Sequence, residues 1–191
     1  MRLSGAFFNK KAHLPPTSPM EELYTLFPDY ARDLKLNLQN VLKQPELTEQ
    51  QTWGTAVASA IAARNPQITQ AILKEAATHL SPEAMHASKA AAAIMGMNNI
   101  YYRFVHLSGN ERYGHIPARL RMQAMRSHGS DPHDFELWCA AVSAINGCGA
   151  CMASHEKALR EKGVGEETIL AAIRIASVIH GSAAVLDQTS L

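Results

Sequence analysis

The chain reads as an all-α protein, and three observations predict it. Alanine is abundant while valine and isoleucine do not dominate, a bias toward helix over strand. Helix-start signals recur from one end of the chain to the other. No segment alternates polar and apolar residues in the manner of a half-buried strand.

The start signals place the elements. "SPME" from Ser18 offers an N-cap, a proline at the first helical position and an acidic residue at the third. "TEQQ" from Thr48 has capping-box form, while "SPEA" from Ser81 and "DPHD" from Asp131 repeat the cap-then-proline pattern. Asn65-Pro66 is a further start. These marks predict helices over 19–27, 29–44, 49–63, 66–79, 82–105, 117–127, 132–145, 148–161 and 166–187.

The chain also resembles itself. "WGTAVASAI" at 53–61 matches "WCAAVSAI" at 138–145 when the tryptophans are superposed, and "SPEAMHASKAAAAI" at 81–94 lies over "GEETILAAIRIASV" at 165–178. This predicts an internal duplication, with degenerate copies at about 47–107 and 131–188 inside one domain spanning 1–191. "SGNERYGHIPARLRMQAMRSHGS" joins the copies. Cysteine separates them: the second helix of the first copy, "PQITQAILKEAATHL", has none, whereas the second copy carries Cys148, Cys151 and His155. One copy reads as scaffold and the other as the site.

Composition narrows the classes of function. A formal charge of +1 makes no general electrostatic case for nucleic acid or acidic lipid. The first twenty residues lack the apolar stretch of a signal peptide. The longest apolar run, "AAAAIMGM" at 90–97, is too short to span a bilayer. The expectation is a cytoplasmic protein without a membrane or nucleic-acid partner. In that compartment thiols are kept reduced, so a Cys-x-x-Cys pair reads as metal-binding or redox-active rather than as a structural disulfide.

The informative stretch is "ELWCAAVSAINGCGACMASHEKAL", residues 136–159. The first helix should stop at Asn146-Gly147, where glycine permits a left-handed cap, and a second should begin near Cys148. Spacings of three and four then set Cys148, Cys151 and His155 on one helical face. Both cysteines would occupy the first turn, where free N–H groups and the macrodipole favour a thiolate, and a neighbouring histidine lowers a thiol pKa further. Glu136 is expected to face the dithiol across the helix pair and to bond His155 or a bridging water, as an orienting carboxylate does. The same residues offer S, N and O donors to zinc. No second Cys or His pair lies at metal spacing nearby, so the dithiol reading leads.

Glu136, Cys148, Cys151 and His155 fit the pattern Glu-x11-Cys-x-x-Cys-x-x-x-His, and with it the chain resembles the AhpD-type alkylhydroperoxidases of the carboxymuconolactone decarboxylase superfamily. The likeness covers nearly the whole chain. It implies an AhpD-like helical fold and an antioxidant peroxidase that reduces organic hydroperoxides. It also implies regeneration of the peroxiredoxin AhpC, with electrons from dihydrolipoamide on a lipoylated 2-oxoacid dehydrogenase component. The resemblance implies a homo-oligomer, trimer or hexamer, with no bound cofactor and no metal. Residue by residue, it makes Cys151 the peroxide-reactive cysteine that passes through a sulfenic acid. Cys148 becomes the proton donor that resolves it as a Cys148–Cys151 disulfide, and Glu136 with His155 the proton relay. Some relatives carry a histidine immediately before the second cysteine; Ala150 stands there in this chain, which implies weaker peroxidase turnover relative to disulfide exchange.

Other readings stay beside this one. A decarboxylase-like or small-molecule-binding member of the superfamily would not need the dithiol, and a zinc-stabilised module would use it as ligand. Cys139 reads as a small packing residue rather than a third redox partner. Trp53 and Trp138 read as matched core anchors. His133 and His180 are candidates for the border of the site. "RLRMQAMR" at 119–126 reads as a solvated connector helix rather than a basic docking patch.

Overall fold

The computed structural model describes residues 18–189, so the expectation about the first twenty residues falls almost wholly outside the described part. Among the described residues there is no strand. The helices are α1 (Pro19–Tyr24), α2 (Arg32–Val41), α3 (Glu49–Ala63), α4 (Pro66–Ala76), α5 (Pro82–Leu107), a single turn α6 (Arg112–His115), α7 (Pro132–Ile145), α8 (Gly149–Glu161) and α9 (Glu166–Thr189). Short 3-10 turns stand at Asp29–Ala31 and Gln123–Met125.

Every helix start announced by the sequence is built as a side-chain cap. Ser18 and Thr48 form reciprocal boxes with Glu21 and Gln51. Asn65, Ser81 and Asp131 accept from N–H groups of the first turns of α4, α5 and α7. Each cap satisfies donors that the helix itself leaves free.

Two expectations are corrected. The single helix over 29–44 divides into the 3-10 turn and α2. The connector helix over 117–127 is absent, leaving an extended stretch with one 3-10 turn at Gln123–Met125. Pro117 and the left-handed Arg119 (φ 53°) interrupt any continuous ladder there.

The core is a stack of alanine-rich helices. α3 packs on α5, α7 and α9, and α7 in turn on α5, α8 and α9. Ala56, Ala60, Ala87, Ala91, Ala141 and Ala172 are sealed between these helices, where small side chains let the axes approach. The tightest approach is at Gly54: a Cβ there would lie 2.2 Å from Cε2 of Trp138. Both tryptophans are buried, as anchors should be, but in different settings. Trp138 lies over Gly54, whereas Trp53 stacks on His79 at 4.4 Å.

The two stretches expected as repeats hold three helices each, α3–α4–α5 and α7–α8–α9, with 15, 11 and 26 residues against 14, 13 and 24. α9 is long and apolar enough to cross a membrane by length and composition, with a mean hydropathy of 1.8, which a search for unbroken apolar runs passes over. Half of that apolar window is buried within the bundle, as in the core helix of a helical protein.

Candidate active site

The site is built on the hairpin of α7 and α8. Gly147 takes the left-handed conformation at φ 66°, and the N–H of Cys148 returns to the carbonyl of Ser143 at 3.1 Å, closing α7 with a Schellman-type cap. Cys148 is at the same time the N-cap of α8, its sulfur accepting the N–H of Cys151 at 3.3 Å. One residue therefore ends one helix and opens the next. The expected first-turn position is corrected by this single step: Cys148 precedes the helix, and only Cys151 lies within its first turn.

The two sulfurs are bonded, at 2.03 Å, with Cα atoms 5.2 Å apart. They are not equally accessible. Cys148 is fully sealed, whereas Cys151 lies on the wall of a cavity of about 330 Å³.

Glu136 and His155 meet as the spacing predicts. Oε1 of Glu136, on the second turn of α7, is 2.8 Å from Nδ1 of His155 on α8. Their side chains are 17% and 8% exposed, so the contact is shielded from competing water. A carboxylate accepting from Nδ1–H holds the imidazole in the tautomer whose Nε2 lone pair is free. His155 lies on the cavity wall, one helical turn beyond Cys151.

A polar cluster fixes this hairpin to α5. Asn99 donates to Ser143 Oγ at 2.8 Å and accepts from Asn146 Nδ2 at 2.9 Å, and Arg103 donates to the carbonyl of Asn146. The cap of α7, and with it Cys148, is thereby held from outside its own helix.

Cys139 is buried and unpaired. Burial pushes its thiol well above the ordinary value, and the nearby Glu136 adds to the shift, so it stays protonated and unreactive. His133 pairs with Asp131 at 3.1 Å near the start of α7, and His180 is exposed on α9; neither borders the cavity. Among the described residues no group of three or more His, Cys, Asp or Glu side chains stands together as a metal site.

The rest of the cavity wall was missed by sequence reasoning. α5 contributes Met95, Asn98 and Tyr102, the connector Met122 and Met125, and α8 Ala150 and Ser154. The stretch expected to be a solvated helix instead closes the chamber with two thioethers. The available signals were weak ones, "MNNIYY" in a run of alanines and two methionines among arginines.

An all-helical bundle in which the second sulfur of a Cys-x-x-Cys faces a chamber, with a Glu–His pair beside it, has the makings of a thiol-redox protein. The chain matches the Carboxymuconolactone decarboxylase family over residues 111–190, the span that holds all four motif residues. Along most of its length it is also similar to proteins named Alkyl hydroperoxide reductase AhpD. The relative from Solibacter usitatus is 67% identical over 168 residues, covering 88% of this chain and 95% of that protein. Those from Acidobacterium capsulatum and Koribacter versatilis are 59% and 56% identical, each over 88% of this chain and over 93% and 87% of their own length. The chain belongs to the AhpD family of the carboxymuconolactone decarboxylase superfamily.

Proposed function

We propose that this protein is an alkyl hydroperoxide reductase working through the Cys148–Cys151 pair. Cys151 as thiolate takes the terminal hydroxyl of an organic hydroperoxide; the O–O bond breaks, Cys151 becomes the sulfenic acid, and the alkoxide leaves as the alcohol after gaining a proton. The Cys148 thiol then displaces water from the sulfenic acid and closes the disulfide. His155, held by Glu136, is the group that takes and returns protons. What supports this reading most is the difference between the two sulfurs, with Cys151 on an apolar chamber beside His155 and Cys148 sealed behind it.

The reducing half of the cycle rests on the family resemblance: a dihydrolipoamide arm of a 2-oxoacid dehydrogenase component returns two electrons to the disulfide, and AhpC receives them in turn. A cytoplasmic homo-oligomer, trimer or hexamer, working without a bound cofactor belongs to the same reading. So does one domain made of two degenerate units, which the shared helix order supports. In this proposal Ala150 leaves the relay with one imidazole fewer than relatives that carry histidine there, which favours disulfide exchange over peroxide turnover.

The test is thiol titration of the reduced protein before and after one equivalent of an organic hydroperoxide. Loss of two thiols, with Cys148 and Cys151 joined by mass spectrometry, is the expected result. Retention of both thiols overturns the proposal.

A further inference from the structure

The peroxide chemistry leaves a buried polar group of the chamber wall without a task. Asn98, on α5, is only 5% exposed, and its Oδ1 is shut off from solvent with no hydrogen-bond partner. It lies on the wall of the same chamber as Cys151 and His155. Its neighbour shows what a buried carboxamide ordinarily does: both ends of Asn99 are engaged, by Ser143 and Asn146. A buried amide oxygen left unpaired is costly, and such a group calls for an explanation.

The other polar groups of the chamber do not supply one. Tyr102 is 39% exposed and its hydroxyl meets only the sulfur of Met122 at 3.8 Å. Ser154 is exposed, and His155, held by Glu136 through Nδ1, already serves as the proton carrier of the peroxide chemistry. The remaining wall is largely methionine and alanine. A ligand for this chamber therefore has an apolar body and a small head that both donates and accepts one hydrogen bond.

We infer that the Asn98 carboxamide binds the hydroperoxide head group of the substrate, its oxygen accepting the O–H and its NH2 facing the second oxygen, while Met95, Met122 and Met125 hold the alkyl body. An alkyl hydroperoxide carries one O–H donor and two acceptor oxygens, which matches a carboxamide edge. A partial turn of the amide about its Cβ–Cγ bond, a soft torsion, brings the oxygen to the chamber beside the NH2 group as the ligand enters. The NH2 group then lies where the departing alkoxide gains charge, the place at which a donor helps most. The thioethers suit alkyl groups of varied shape, since methionine repacks readily. This inference rests on the peroxidase reading for the identity of the substrate.

A binding measurement separates the two. The disulfide form is titrated with cumyl alcohol, which keeps the O–H, and with its methyl ether, which lacks it, following the assigned methionine methyl signals by NMR. The alcohol is expected to bind several-fold, up to about tenfold, more tightly than the ether, the scale of one hydrogen bond. Asn98→Leu should erase that preference while keeping the affinity for the ether. Asn98→Asp, which retains an acceptor oxygen, should restore it and control for misfolding. Equal affinities in the wild-type protein, a preference that survives Asn98→Leu, or no binding of either probe would overturn the inference. Failure of the peroxidase reading shows separately, as intact thiols after hydroperoxide treatment of the wild-type protein.

Discussion

At the scale of single residues, the site works by contrast between chemically similar groups. Three cysteines lie within thirteen residues, from Cys139 to Cys151, yet each has a different environment. Cys139 is held as a neutral thiol by burial and by Glu136. Brief alkylation of the reduced protein near neutral pH should therefore label Cys151 first and spare Cys139, which peptide mass spectrometry reads directly. The sign follows from the shift: a thiol pushed above its ordinary value gains its reactive anion only in more alkaline solution. Cys151→Ser should abolish peroxide reduction, whereas Cys148→Ser should leave a sulfenic acid that dimedone traps. Glu136→Ala removes the partner of Nδ1 and frees the ring to change tautomer, with an expected loss of about 10²-fold in the rate of thiol oxidation, typical of general-base support. A native rate across neutral pH in stopped-flow measurements would remove Glu136 from the relay.

At the scale of elements, the caps decide where the sulfurs stand. Asp131 accepts the N–H groups of His133 and Asp134 at 2.7 and 3.2 Å, and so starts α7 at Pro132, four residues before Glu136 on its second turn. Partial burial pushes the Asp131 carboxyl up, but these two N–H bonds and the His133 ring bring it below its ordinary value overall. A lowered carboxyl stabilises the fold above its unfolded pKa, and that contribution is lost as the pH falls through the folded value. Asp131→Ala should accordingly cost about 1 kcal/mol at pH 7, the usual loss of a cap. The difference between variant and wild type in urea unfolding should narrow in acid, below the ordinary carboxylate range. A difference unchanged between neutral and acid pH would show that the charge is not what the cap supplies. The connector makes the opposite point: residues 117–127 form no α-helix, yet they bring Met122 and Met125 to the chamber.

At the scale of the whole molecule, α3 and α7 are locked by the indole of Trp138 lying over Gly54. The space a methyl group would need is occupied by ring atoms at 2.2 and 2.3 Å, and neither helix can yield without disturbing α9, which packs on both. Gly54→Ala should destabilise by about 1–3 kcal/mol, the range for overpacking a core. Because α7 carries Glu136, activity should fall with stability. Trp138→Phe in the Gly54→Ala background should recover part of the loss, and a double-mutant cycle on unfolding midpoints measures the coupling. Strictly additive effects would mean the two residues do not share that space.

Much of this protein was legible in the chain alone because it is written in local spacing. Caps, helix starts and the Glu136–Cys148–Cys151–His155 pattern all depend on contacts a few residues apart or on one tight hairpin, whose turn Gly147 supplies. The chamber was not legible, because Asn98 and the two connector methionines lie 26 to 53 residues before Cys151 and no periodicity links them. Only packing decided that one sulfur would face a cavity and the other be sealed. Burial is a property of what lies opposite a side chain, and what lies opposite is chosen by the fold as a whole.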